Sequence, residues 1–387
     1  MNRLFYFSFC LCFIFSTHQA FASDEIEVAT LNQYIGADLS AVFNASPDEF
    51  NDALVSVLQQ IAASDFPARA LEQGQMLAKR SPDIIGLQEV WDLSCFGDGC
   101  DDPSIAKAFV DYLPLTLDAL SKHGVTYLPA AIVKNFDLPG IPFNINGSTA
   151  LLFAVDRDVL LSREDVVATK VDWSDYGVPG LCPKPSLDGC NYQTVTSATT
   201  PFGPLAIERG FVAVDAKVGN RVYRIFNTHL EISGVDAGVQ EFTFFQAAQA
   251  YELIQTISAS TPSDVSVIVL GDMNSSPEHA DIGGTFPAPF ETGIITPYHQ
   301  FLASAFYDVW ELRPGKVKGY TCCQQEDLGS QQALLTERID MIFTWDMPDK
   351  VHQVRVLGDK VSTKTNPPGL GLWSTDHGGI AALLQFR

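Results

Sequence analysis

The stretch 372–386, "LWSTDHGGIAALLQF", sets Asp376 and His377 side by side in a polar turn, directly before an apolar run that reads as the last strand of a core. Ser, Thr, Asp and Gly are ordinary turn residues and His is tolerated among them, so in isolation the pair describes a loop. The rest of the chain changes that reading, because the same juxtaposition recurs. "DIIGLQEVW" (83–91) ends a buried run on Glu89, "VYRIFNTHL" (222–230) ends on His229, and "DVSVIVLGDMN" (264–274) carries Asp272 and Asn274. "EIEVATLNQY" (25–34) alternates apolar and polar residues and then reaches Asn32. A carboxylate at the end of a buried strand loses its hydration unless a cation meets it, and a bound metal ion is a natural partner. Strand ends are also where α/β folds place their chemistry.

Further strands are expected at "STALLFAV", "GFVAVDAKV", "RIDMIFTW", "VHQVRVLG" and "GGIAALLQF". Helices are expected between them. In "SPDEFNDALVSVLQQI" (46–61) Ser46 suits an N-cap, Pro47 the first helical position and Glu49 the capping box. A second helix covers much of "PARALEQGQMLAKR" (67–80) and stops near Ser81-Pro82, because proline disfavours helix in the residue before it. "QEFTFFQAAQAYELIQTI" (240–257) has helical spacing, and Phe242, Phe245 and Leu253 read as core. The pattern predicts an α/β protein of mixed sheets and long loops, layered rather than barrel-shaped.

Residues 1–22 have a cation at Arg3, an apolar run from Leu4 to Phe15 and the ending Ala20-Phe21-Ala22. This is the layout of a secretory signal peptide, too short for a membrane span, and no later segment has the length and purity of one. Export to the medium or a periplasm is expected. Residues 23–387 read as one catalytic domain with loop insertions, since no linker or repeat divides them and the polar strand ends run from Asn32 to His377. Beyond the leader lie six cysteines: Cys95, Cys100, Cys182, Cys190, Cys322 and Cys323. "CFGDGC" and "CPKPSLDGC" suggest local disulfide clips, and "TCC" is either a vicinal pair or two half-cystines with distant partners. Zinc is disfavoured, because neither CxxC pairs nor a matching His spacing occurs.

The 46 acidic and 24 basic side chains leave a net charge of −22. Such a surface repels polyanions, and no basic stripe of the kind that grips nucleic acid is visible.

The ordered series "LQEVW", "NTHLE", "GDMNSSP", "RIDMIF" and "STDHGGI" resembles the endonuclease/exonuclease/phosphatase superfamily, the deoxyribonuclease-I-like hydrolases. The resemblance implies a four-layered sandwich of two mixed β-sheets flanked by helices, with a divalent ion, Mg²⁺ or else Mn²⁺ or Ca²⁺, at one edge. It implies Glu89 as main metal ligand, with Asn32 beside it and Asp376 near enough to position the ion. It makes His377 the base acting on the attacking water, with Asp340 holding its tautomer. Asp272 would orient the water or share the base role, while Asn274 and His229 would hydrogen-bond the phosphoryl oxygens. Where many relatives carry a glutamate that pairs with the first active-site histidine, this chain has Asn146 and Ser148. Arg209 reads as a phosphate contact or a surface salt bridge, Asp308 and Arg338 as structural, and His279 as a loop residue.

For substrate, the Tyr-Arg pair expected of inositol-polyphosphate phosphatases after the "GD-N" motif is missing. "LQEVWDL" and "NTHLE" lie closer to the sphingomyelinase branch. Two long aromatic-rich loops, "VKNFDLPGIPFNING" and "GGTFPAPFETGIITPYHQF", suit either transient contact with a bilayer or packing on the core. The expectation is a monomeric phosphodiesterase acting on a phospholipid headgroup. The alternatives are a secreted nuclease acting on DNA or RNA and a catalytically inactive binding module.

Overall fold

The computed structural model describes residues 25–173, 181–233, 240–315, 317–365 and 371–386. The expected leader, residues 1–22, lies outside them. Two large sheets form the body. The first runs in the order Lys350–Leu357, Gly379–Gln385, Glu25–Asn32, Ile84–Gln88, Ser148–Arg163 and Asp92–Phe96, with Tyr127–Ile145 also paired to Ser148–Arg163. The second runs Tyr307–Asp308, Asp340–Thr344, Ser266–Asp272, Arg221–His229, Gly210–Val218, Gly189–Asn191 and Pro185–Ser186, with Val167–Lys170 added to Gly210–Val218. Both are mixed. Glu25–Asn32 lies parallel to Ile84–Gln88, and Arg221–His229 parallel to Ser266–Asp272, among antiparallel neighbours.

Strands at the centre of each sheet are apolar on both faces because both faces are covered. Val28, Ile84 and Leu160 of the first sheet meet Val214, Ile225, Ile268 and Ile342 of the second. Helices Phe50–Ser64 and Phe66–Arg80 cover the outer face of the first sheet through residues such as Leu58, Phe66 and Leu77. Helix Gln240–Ser260 covers the second through Ala250, Leu253 and Ile257. The order helix, sheet, sheet, helix is the four-layered α/β sandwich expected above. One polar seam crosses the apolar interior: Gln88 donates to Asn227 Oδ1 at 2.6 Å, and Asn227 Nδ2 donates to the Leu87 and Val159 carbonyls. Gly86 makes this approach feasible, since a Cβ there would lie 2.6 Å from Asn227 Oδ1.

Several local expectations need correction. The first long helix begins at Phe50, after a turn over residues 47–49. The Ser46 hydroxyl donates to the Glu49 carboxylate at 2.6 Å instead of capping a helical N–H. Phe242 and Phe245 are only half-buried, whereas Leu253 is fully buried. "VKNFDLPGIPFNING" is no loop: it lies in the strand Tyr127–Ile145, whose three bulges and edge position accommodate Pro129, Pro139 and Pro142. Its Leu138, Ile141 and Phe143 are buried, as are Phe290, Ile294, Tyr298 and Phe301 of the second aromatic segment. Their composition reflects packing. The cysteines pair as Cys95–Cys100, Cys182–Cys190 and Cys322–Cys323. No helix among the described residues is long and apolar enough to cross a membrane.

Candidate functional site

Sheet register assembles the site. In the second sheet His229 lies opposite Asp272, and Asp272 opposite Asp340, giving three titratable side chains in one row across neighbouring strands. In the first sheet Asn32 lies opposite Gln88, so that Glu89 follows at the same edge. Thr30 pairs with Ile380, which brings the turn containing Asp376 and His377 to that edge as well. Glu89, Asn274 and Tyr34 leave their strands with φ of +54°, +47° and +61°. Such left-handed backbone is unfavourable for side-chain-bearing residues and tends to be retained where function requires it.

Asp272 is the hub. Its Oδ2 accepts from Asn32 Nδ2 at 3.1 Å and lies 3.5 Å from His229 Nε2 and 3.7 Å from His377 Nε2. Its Oδ1 accepts the Asn274 backbone N–H at 2.9 Å. The Asn32 amide also donates to Glu89 Oε1 at 3.1 Å, bridging the two carboxylates, while its own oxygen accepts the Tyr34 N–H. His377 Nδ1 meets Asp340 Oδ2 at 2.8 Å, and its Nε2 lies 3.9 Å from Asp376 Oδ1. All eight residues singled out in the sequence therefore belong to one connected cluster. Asn274 commits an amide N–H to the Leu230 carbonyl, tying the two strand-end turns together.

The charge balance is strained. Burial opposes protonation of His377, but Asp340, Asp376 and Asp272 outweigh it and hold the proton on the ring well above the usual histidine range. His229 goes the other way, because burial, Arg209 and His377 push it well below that range. Two histidines on either side of one aspartate thus carry opposite tendencies. Burial raises Asp272, and the Asp340 charge raises it further. Burial together with repulsion from Glu89 lifts Asp376 to about 7, although His377 draws it down.

This excess of negative charge, buried at Asp272 and Asp340 and half-buried at Glu89 and Asp376, fits a divalent cation bound by oxygen. Glu89 Oε2 is oriented by the Ile35 N–H at 2.8 Å and the Trp91 indole N–H at 3.3 Å, which fixes the carboxylate towards Asn32. Asp272, Asp340 and His377 also offer atoms within 4.8 Å of one another, close enough to hold an ion. Ligation there would engage His377 Nε2 or compete with the 2.8 Å contact between His377 Nδ1 and Asp340.

Several supporting residues escaped the sequence reading. Arg69, fully buried, donates to the carbonyls of Gln33, Tyr34, Ser64 and Ser374, and Gln73 donates to Gln33 and Ser374. The segment after the first strand is thereby clamped to the turn before the last. Arg69 and Gln73 are four residues apart on one helix face, a polar pair within an amphipathic pattern. Thr375 Oγ1 donates to the Asn32 carbonyl, and Thr321 Oγ1 accepts the Asp340 N–H. Arg209 is largely buried rather than on the surface, paired with Glu231 at 3.6 Å and lying against His229 Nδ1 at 3.0 Å. Asn146 bonds Asp102, and Ser148 pairs with Ile145 in a hairpin, so neither orients His229. Asp308 and Arg338 form a buried ion pair at 2.7 Å, and His279 pairs with Glu337 at 3.1 Å.

An endonuclease/exonuclease/phosphatase protein from Beutenbergia cavernae superposes with a TM-score of 0.50 at 16% identity, over 94% of this chain and 72% of that one. TDP2 from C. elegans gives 0.47 at 15% identity, over 93% and 75%. An endonuclease/exonuclease/phosphatase family protein from Bacteroides thetaiotaomicron gives 0.46 at 16% identity, over 94% and 98%. At 16% identity the likeness to the Beutenbergia cavernae protein speaks to fold alone. No curated protein matches. The sequence profile of the Endonuclease/Exonuclease/phosphatase family matches residues 42–377, and the chain belongs to that family.

Proposed function

We propose that the protein is a secreted, divalent-metal-dependent phosphodiesterase acting on a phospholipid headgroup. The observation that carries the reading is the connected cluster around Asp272, which joins a carboxylate-rich pole at Glu89 and Asp376 to a histidine–aspartate pair at His377 and Asp340. Glu89 and Asp376 would hold the ion, which when bound supplies positive charge to a phosphoryl oxygen. His377 Nε2 takes the proton of the attacking water, and Asp340 at Nδ1 keeps the accepting nitrogen turned to the site and stabilises the resulting imidazolium. Asp272, 3.7 Å from the same nitrogen, orients that water. His229 Nε2 and the second N–H of the Asn274 amide donate to the non-bridging oxygens, where negative charge grows in the transition state.

Two observations favour a lipid over a polynucleotide. The net charge of −22 opposes a polyanion. Ile35 and Trp91, whose N–H groups hold Glu89, also line an apolar pocket of about 80 Å³. That volume suits a few methylene groups next to a phosphoester. The test is a panel of sphingomyelin, phosphatidylcholine, plasmid DNA, RNA and bis-p-nitrophenyl phosphate, each with Mg²⁺ or excess EDTA. Headgroup release from a lipid, abolished by EDTA, is expected. DNA or RNA cleavage without lipid turnover would replace the substrate, and full activity in EDTA would refute the mechanism. N-terminal sequencing of exported protein should begin at Ser23, and intact intracellular protein beginning at Met1 would refute export.

A further inference from the structure

The ladder that pairs Phe211 with Thr228 brings Arg209, two residues before Phe211, beside His229. Arg209 Nη1 lies 3.0 Å from His229 Nδ1. A guanidinium is always protonated and only donates, so Nδ1 must be the bare nitrogen. The ring proton then sits on Nε2, which faces Asp272 at 3.5 Å. Arg209 is itself held from behind. Its Nη2 is 3.6 Å from Glu231 Oε1, and the buried Glu231 carboxylate is anchored by the Thr196 hydroxyl at 2.7 Å and the Ile232 N–H at 3.0 Å. Asp156 and Asp158, both buried, add to the field that favours the Arg209 cation. With a side chain only 14% exposed and a fixed partner on each side, Arg209 has little freedom to reach a substrate.

We infer that Arg209 is a positioning residue that fixes His229 in the Nε2–H tautomer, making it a permanent donor to the phosphoester. A carboxylate in this place would draw the proton to Nδ1 and favour imidazolium. An arginine does the opposite and leaves a neutral ring aimed with its N–H forward. The inference rests on the proposed role of the site in phosphoester hydrolysis, but its first readout does not need turnover.

The experiment uses uniformly ¹⁵N-labelled protein, with the His229 ring signals assigned by their loss in His229→Ala. Long-range ¹H–¹⁵N spectra of the wild type should show bare Nδ1 and protonated Nε2, and Arg209→Met should show mixed tautomers. On bis-p-nitrophenyl phosphate, Arg209→Met should lower kcat about 10- to 100-fold, the range for losing a residue that orients another, with KM little changed. Arg209→Lys should recover much of the loss. Added to His229→Ala, Arg209→Met should cost almost nothing more. A wild-type ring protonated on Nδ1 would overturn the inference. So would a raised KM on Arg209→Met that persists in the His229→Ala background, which would make Arg209 a direct substrate contact. If wild type hydrolyses no ester, the proposed function fails and the nitrogen spectrum alone decides this inference.

Discussion

Replacing His377 by Ala removes a group whose two nitrogens have separate duties, Nδ1 at 2.8 Å from Asp340 and Nε2 at 3.7 Å from Asp272. Loss of a general base costs on the order of 10²–10⁴ in rate, and a loss felt only in the transition state lowers kcat and kcat/KM together. Asp340→Asn keeps a hydrogen-bond acceptor but removes the charge. A charge-assisted bond is worth about 1.5–3 kcal/mol against about 0.5–1.5 for a neutral one, and the centres of these ranges differ by about 1.2 kcal/mol, or roughly eightfold in rate. Release of the ring from its tautomer adds to that. Because the two residues form one unit, the double variant should be little worse than His377→Ala. The pH profile has a definite sign. The ring must be neutral to accept a proton, and its neighbours raise its pKa, so kcat/KM should rise with pH through a value above the ordinary histidine range. Asp340→Asn should move that limb to lower pH. Kinetics on bis-p-nitrophenyl phosphate, with circular dichroism as folding control, checks all of this. A well-folded His377→Ala variant with near-normal kcat would return residues 375–378 to an ordinary turn.

Glu89→Gln should raise the Mg²⁺ concentration needed for half-maximal rate, read from metal titrations of both proteins, since one negative charge leaves a site that is built from few. Mg²⁺ should raise the Tm more at pH 8 than at pH 5, measured by calorimetry. Burial, with the Glu89 charge, pushes the folded Asp376 carboxyl up to about 7, above its unfolded value, so the stability this group contributes in the metal-free protein is lost as pH rises from about 4 to about 7, and an ion offsets that cost. Equal Tm gains at both pH values would argue against carboxylate ligation. Arg69→Met should destabilise by about 3 kcal/mol or more in urea unfolding, because several buried carbonyls lose their donor at about 1–3 kcal/mol each. Stability within about 0.5 kcal/mol of wild type would show that the clamp is dispensable.

What the sequence displayed and what it concealed follow from the range of the interactions. Glu89, His229, Asp272 and Asp376 were legible because a polar residue at the end of a long apolar run stands out against a strong local signal. The layered fold was legible for the same reason: "SVIVLG" and "GIAALL" are apolar on both faces and must be covered twice. The strand Tyr127–Ile145 was hidden by its prolines, which mark a loop unless the bulges and the free edge are known. Arg69 was hidden because an arginine in an amphipathic helix normally snorkels to solvent, and only the distant carbonyls of Gln33 and Ser374 reveal its burial. The burial of Arg209 against His229 was hidden because that contact is set by the register of two strands, not by anything near it in the chain.

The strand Gly379–Gln385 lies between Glu25–Asn32 and Lys350–Leu357, and the Arg69 clamp joins Gln33 to Ser374. The first and last parts of the polypeptide must therefore meet before Asn32, Asp376 and His377 can share a site. During synthesis the nascent chain holds Glu89, His229 and Asp272 long before it holds Asp376 and His377. A ribosome-bound precursor, or a product cut short of residue 376, thus lacks Asp376 and His377, and the proposed mechanism makes it latent.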